Sequence, residues 1–278
     1  MPVIYKISQK GSGGEGVTQQ ISLNDAIITK KLIYPFCINE TSKLNEPEAL
    51  RLTNFHAIGF MDNNSYYVSS SGPQETKVFI TRRNSVLTFN QKDQFQGGFT
   101  EGDPIKSISP IGLTTLVQPP QRSRMEARKD FIYTSITEDL GISVRYMEVL
   151  LTPEGLVTNF KPLSFPSKSE ADGALYETFR FKKPVAVHYG GTSQKYIFVA
   201  DAGSDSIFVF QENGYEGAIP PAQNTNRKLI NVSFGGTGSG PTQFIRPSAI
   251  AFFDQILYVA DAGNKRIMRY KLTSDYEQ

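Results

Sequence analysis

The chain has one cysteine, Cys37, and no tryptophan. A single thiol excludes an intramolecular disulfide framework and a zinc site built on paired thiolates. Two histidines, His56 and His188, exclude a site that needs three imidazole ligands. No run of about 18 apolar residues occurs, so no membrane-spanning helix is expected. An excess of one charge is also lacking. There are 29 Lys and Arg against 27 Asp and Glu, a net +2 over 278 residues, and that balance does not point to nucleic acid. The opening Met1-Pro2-Val3-Ile4-Tyr5-Lys6 does not read as a secretory leader.

What is present is aromatic and β-forming. The chain holds 19 Phe and 13 Tyr, too many for a solvated disordered chain. Short runs rich in Val, Ile, Phe, Tyr and Thr extend almost end to end. Among them are Val3–Ser8, Ala26–Lys31, Tyr66–Ser70, Phe131–Ile136, Ser143–Leu150, Tyr196–Ala200, Ser206–Phe210, Leu229–Phe234, Leu257–Ala260 and Arg266–Leu272. Gly, Pro, Asn, Asp and Ser separate them, the pattern of an all-β chain made of hairpins. The length suits a single domain over residues 1–278.

Two of these stretches are copies. Arg180-Phe181-Lys182-Lys183-Pro184 leads to Tyr196-Ile197-Phe198-Val199-Ala200-Asp201-Ala202-Gly203. Phe244-Ile245-Arg246-Pro247 leads to Leu257-Tyr258-Val259-Ala260-Asp261-Ala262-Gly263. They recur about 60 residues apart, the spacing of a repeat architecture. Weaker copies precede them, with Ser70 and Ile136 near the place of the aspartate. Each unit supplies about four strands and cannot bury both faces alone. Radial placement of such units is the β-propeller solution.

The runs Phe-x-x-Pro, Tyr-Val-Ala-Asp-Ala-Gly-Asn and Arg-Ile-x-x-Tyr resemble the NHL repeat, a family of propeller blades. The resemblance covers residues 180–272 best and extends into 55–160. It implies a propeller of about five four-stranded blades, with six as the alternative. The last unit shows three strands, and Val3–Ser8 resembles the fourth strand of a full unit. The N-terminal strand is therefore expected to complete the last blade and close the ring.

The motif residues read first as structure. Asp201 and Asp261 open a tight connection in which a short carboxylate accepts backbone N–H groups. Gly203 and Gly263 are expected to supply positive φ there. His56 and His188 fall in expected innermost strands, which line a propeller's channel. NHL-like lyases and related hydrolases hold metals near that axis, so the resemblance permits a metal-dependent enzyme. A third ligand is not legible, however, and no cofactor is expected. Gly97-Gly98 and Gly235-Gly236 lack the Gly-Lys-Ser/Thr and helix of a phosphate loop. The stretch 118–130 carries Arg122, Arg124, Arg128 and Lys129 on a long connection. Some NHL propellers bind RNA on a basic face, but no aromatics interleave here for stacking.

The favoured expectation is a non-enzymatic binding or scaffold propeller that presents loops to a protein, peptide or glycan partner. It would be monomeric or part of a larger complex. A metal-dependent lyase or lactonase-like hydrolase is the first alternative, and an RNA-binding propeller the second. The resemblance to propellers of bacterial surface lipoproteins implies an exported location.

Overall fold

The structure is a computed structural model. It describes residues 3–9, 26–33, 54–61, 65–71, 85–92, 95–99, 110–116, 130–135, 143–152, 155–160, 175–190, 196–217 and 232–271. All regular structure among them is β, and none of it is helical. The chain falls into two compact units, one of residues 1–55 and 72–83, the other of residues 56–71 and 84–278.

In the first unit, β1 (Val3–Gln9) pairs antiparallel with β2 (Ala26–Ile33) as a two-stranded sheet. This differs from the expected pairing of the N-terminal strand with the last blade. The observed partner is the next strand in the chain, which is the common choice for antiparallel pairs.

Among the described residues the second unit carries four sheets, each a meander of strands in chain order. The first holds β3 (Asn54–Phe60), β4 (Tyr66–Ser71), β5 (Ser85–Phe89) and β6 (Phe95–Phe99). The second holds β7 (Pro110–Thr115), β8 (Phe131–Ser135), β9 (Val144–Thr152) and β10 (Gly155–Phe160). The third holds β11 (Pro184–Tyr189), β12 (Tyr196–Asp201), β13 (Ser206–Gln211) and β14 (Phe234–Gly235). The fourth holds β15 (Pro247–Phe253), β16 (Ile256–Asp261) and β17 (Arg266–Lys271), three strands among the described residues. Leu229–Phe234 was expected as a strand; among the described residues the pairing is confined to Phe234–Gly235.

A register rule runs through the last three sheets. Pro110, Pro184 and Pro247 each open a first strand, and each stands opposite the last residue of the second strand. Those residues are Ser135, Asp201 and Asp261. An irregularity in the ladder succeeds each proline. A residue without an N–H fits the start of a strand, and the bulge re-aims the rest of that strand. Ser135, not Ile136, therefore occupies the aspartate's place in the second sheet.

Among the described residues, three apolar cores lie between successive sheets of the second unit. Tyr67, Val86, Leu113, Phe131, Tyr133 and Met147 form one between the first and second sheets. Ile132, Val144, Leu175, Phe181, Val187, Ile197 and Val199 form the next. Phe198, Ile207, Val209, Phe244, Phe252, Leu257 and Val259 form the third. Successive side chains of a strand point to opposite faces. On β12, Ile197 and Val199 thus enter one core while Tyr196, Phe198 and Ala200 enter the other. All six β12 residues are buried.

The first strands approach one another closely, and small residues make that possible. A Cβ on Gly112 of β7 would stand 2.8 Å from Cα of Ala186 on β11. One on Gly190 would stand 2.9 Å from the Phe252 ring. Hydroxyls bridge the same seams. Ser69 accepts from the Ala57 N–H at 3.0 Å and donates to the Ile111 carbonyl at 2.9 Å. Thr115 donates to the Phe60 carbonyl, and Thr114 accepts from the Tyr189 N–H at 3.0 Å. These hydroxyls pair with backbone groups of neighbouring strands.

Candidate functional site

The two motif aspartates are fully enclosed, Asp201 at 1% and Asp261 at 0% exposure. Asp201 accepts from the Lys182 N–H at 3.0 Å, the Lys183 N–H at 2.6 Å and the Gly203 N–H at 2.9 Å. The Ser204 hydroxyl adds a bond of 3.0 Å. Asp261 accepts from the Ile245 N–H at 2.8 Å, the Asn264 amide at 2.7 Å and Arg266 Nε at 2.8 Å. Each carboxylate ties the turn after the second strand to the segment entering the first strand of the same sheet. Burial alone would raise the Asp261 pKa, but the Ile245 N–H, the Asn264 amide and the Arg266 guanidinium together hold it below 3.8. Their acceptor capacity is committed to the fold.

The glycines of these turns have a different role from the one expected. Neither Gly203 nor Gly263 has positive φ. That conformation falls two residues later, at Asp205 (52°) and Lys265 (53°). Gly203 and Gly263 are needed for room. A Cβ at Gly203 would stand 2.5 Å from the Lys182 Cβ, and one at Gly263 2.5 Å from the Ile245 carbonyl oxygen. The incoming segment crosses the turn so closely that only glycine fits.

The histidines lie in sheets that do not adjoin. His56 is on β3 and His188 on β11, and β7 packs beside both strands. Desolvation lowers the pKa of both imidazoles, and at His188 a hydrogen bond to the Phe252 backbone opposes it. His56 stands on the exposed side of β3, while His188 is half-buried. Among the described residues, no group of three or more His, Cys, Asp or Glu side chains could hold a metal ion. Arg122, Arg124, Arg128 and Lys129 lie outside the described residues. The foot of their connection is described: the Leu116 N–H donates to the Asp130 carbonyl at 3.2 Å. The Asp130 carboxylate accepts from Tyr146 at 2.7 Å and from the Val149 N–H at 3.0 Å.

Two surface features were not legible as sites. The first is the strap 175–183 ahead of β11. Leu175 and Tyr176 are buried at one end, and the Leu175 N–H donates to Gly214. At the other end Arg180 pairs with Glu216 and lies 4.8 Å from the Phe208 ring. Glu216 also accepts from Ser233 at 2.6 Å. Between these anchors Phe179 has a φ of 59° and is 77% exposed. The second is the outer face of the last sheet. Phe253 is 76% exposed and Ile267 72% exposed. Arg269 is exposed over the Tyr258 ring, 5.7 Å from its centroid. Along Arg266-Ile267-Met268-Arg269-Tyr270-Lys271 half-buried and exposed residues alternate strictly.

No protein-family model matches the chain, and no curated protein matches it. Solved structures do show similarity. One is an auxiliary nutrient binding protein from Bacteroides thetaiotaomicron, at 11% identity and a TM-score of 0.43, covering 77% of this chain and 58% of that one. Another is a catalytically inactive virginiamycin B lyase from Staphylococcus aureus with quinupristin, at 13% identity and a TM-score of 0.36, covering 87% and 73%. A protein of unknown function from Bacteroides caccae matches at 8% identity and a TM-score of 0.36, covering 79% and 61%. The chain thus spans less than two thirds of the first and third of these proteins. Identities this low leave function to be argued from the chain itself.

Proposed function

We propose that this chain is an NHL-like β-propeller acting as a non-enzymatic binding module. It would have about five blades, the last completed by a fourth strand at the outer edge of β17. The observation that carries the reading is the display of Phe179, Phe253 and Ile267, each more than 70% exposed, on hydrogen-bonded elements. Large apolar side chains held out rigidly mark recognition surfaces. The motif carboxylates, by contrast, are occupied by the turns. A protein, peptide or glycan is the partner class such a surface suits.

The test is a binding screen of the purified chain against peptide and glycan arrays, with metal content measured on the same sample. A ligand whose affinity falls about tenfold or more in Phe179→Ser or Phe253→Ser, with the melting temperature kept, supports the reading. Metal at one equivalent, lost in the His56→Gln/His188→Gln double variant, would instead favour the metal-dependent enzyme.

A further inference from the structure

We infer that the β17 edge and the outer face of the last sheet form a strand-accepting site for an extended acidic segment of another protein. The inference rests on the binding-module reading and names the chemistry of one partner.

Three observations meet at this place. The first is the edge. Among the described residues β17 pairs only with β16, while the three preceding sheets each have a fourth strand. An unpaired edge presents a row of backbone donors and acceptors that another strand can satisfy.

The second is the face. On its inner side the last sheet sends Phe252, Leu257 and Val259, with Met268 and Tyr270, into the core shared with the third sheet. On its outer side Ala249, Ala251, Phe253, Ile267, Arg269 and Lys271 are exposed. The register aligns Phe253, Ile256 and Lys271 in one row and Ala251, Tyr258 and Arg269 in the next. The result is a floor of small and apolar side chains that ends, at the open edge, in two cations. Cations guard many sheet edges against wrong pairing, but a guard has no use for an Ile and a Phe standing in water beside it.

The third is charge. An added strand would place its outer-face side chains opposite Ile267, Arg269 and Lys271, where acidic groups are favoured and cations opposed. Exposed Arg246 and Lys265 extend the same sign. The chain's own β1 is a poor match, since its one charged residue is Lys6, and β1 is already paired with β2 along its length.

The probe is a synthetic peptide alternating valine and glutamate, titrated onto the full chain and followed by fluorescence anisotropy. Two control peptides accompany it, one with lysine in place of glutamate and one with proline at alternate positions. Saturable binding is expected. It should weaken about tenfold in Arg269→Glu/Lys271→Glu and with either control peptide. Amide exchange should slow across β17 on peptide addition. Equal binding of the glutamate and lysine peptides would overturn the inference, as would no binding by a chain that melts cooperatively. Binding that appears only after deletion of residues 1–9 would also overturn it, by assigning the edge to the chain's own strand. A partner found through Phe179 while the peptide fails would sink the edge site alone and leave the binding-module reading standing.

Discussion

The third and fourth sheets are built from nearly the same words and end in different surroundings. Tyr196-Ile197-Phe198-Val199-Ala200-Asp201 forms β12, buried at all six positions. Ile256-Leu257-Tyr258-Val259-Ala260-Asp261 forms β16, fully buried only at alternate positions. The succeeding turn is the same in both, down to the positive φ four residues after the aspartate. The local motif thus sets the turn, and the neighbours set the burial. Phe198 sits at 0% exposure and stacks on Phe252 at 5.1 Å. Its counterpart Tyr258 points the same way off its own sheet, onto the outer face, and meets Arg269.

The largest expected effect tests that contrast. Phe198→Ala should cost about 3–5 kcal/mol, because it leaves a cavity between two sheets that cannot both relax. Tyr258→Ala should cost less than about 1 kcal/mol, since little packing is lost on an outer face. Chemical denaturation of both variants measures the pair. Similar losses would mean that another part of the molecule covers the fourth sheet's outer face as fully as the fourth sheet covers the third.

The turns should answer more evenly. Asp201→Ala and Asp261→Ala should each cost about 2–3 kcal/mol by orphaning buried N–H donors. They differ in kind. Asp201 serves mainly backbone donors, whereas Asp261 also serves Asn264 and Arg266. Conservative substitution should separate them: Asp261→Asn forfeits the ion pair with Arg266 as well as a charged acceptor. The Asp261 pKa is depressed below 3.8 in the folded chain. Its contribution is therefore complete above that value and is lost as pH falls through the folded pKa. The stability difference between parent and Asp261→Asn should shrink on acidification below about pH 4. A difference that stays constant to pH 2 would contradict the assignment.

How much of this was legible beforehand can be argued residue by residue. Innermost strands were expected near Ala26, Phe55, Ile111, Val185 and Ala249; the last four open sheets, because apolar runs and turn residues report local structure directly. The aspartate's place was readable in the two clear repeats but misplaced in the second sheet. There the anchor is the pairing of Pro110 with Ser135, which only the register reveals. The glycine was recognised and its reason was not, since close approach of Lys182 or Ile245 is a tertiary fact with no local signal. Ser69, Thr114 and Thr115 carry no sequence signal beyond that of strand formers, although they bolt one sheet to the next. The exposure of Phe179 had no sequence signal, because composition cannot say which aromatic faces water.

A smaller effect distinguishes the two first strands. The register places His188 of β11 where β15 carries Ala251. Burial lowers the His188 pKa below 6.5 against the pull of its Phe252 hydrogen bond. The folded chain then binds fewer protons than the unfolded chain just below pH 6.5, so stability rises with pH in that window. The contribution is full above 6.5 and lost as pH falls through the folded value. His188→Gln should flatten that part of the stability–pH curve, with no counterpart from the fourth sheet. An unchanged slope would show that His188 titrates as if in water.

The smallest effect lies in the turn itself, at the two residues with positive φ. Lys265 is exposed, and its left-handed backbone costs about 1–2 kcal/mol for a side chain with a Cβ. Lys265→Gly should therefore stabilise the chain by about 0.5 kcal/mol, the relief of strain exceeding the added freedom of the unfolded state. Asp205 has the same conformation but is held there for a different reason. Its carboxylate accepts from the Arg246 N–H and the Thr237 hydroxyl, both at 2.7 Å. Those bonds fasten the third sheet's turn to the segment that enters the fourth. Asp205→Gly gains the same backbone relief and loses both bonds, so its net effect should be destabilising by up to about 1 kcal/mol. Opposite signs at two residues of like geometry would show that the third sheet's turn is a joint between repeats and the fourth sheet's turn an end. Equal signs would mean that the Asp205 bonds contribute nothing, and that the turns differ only in sequence.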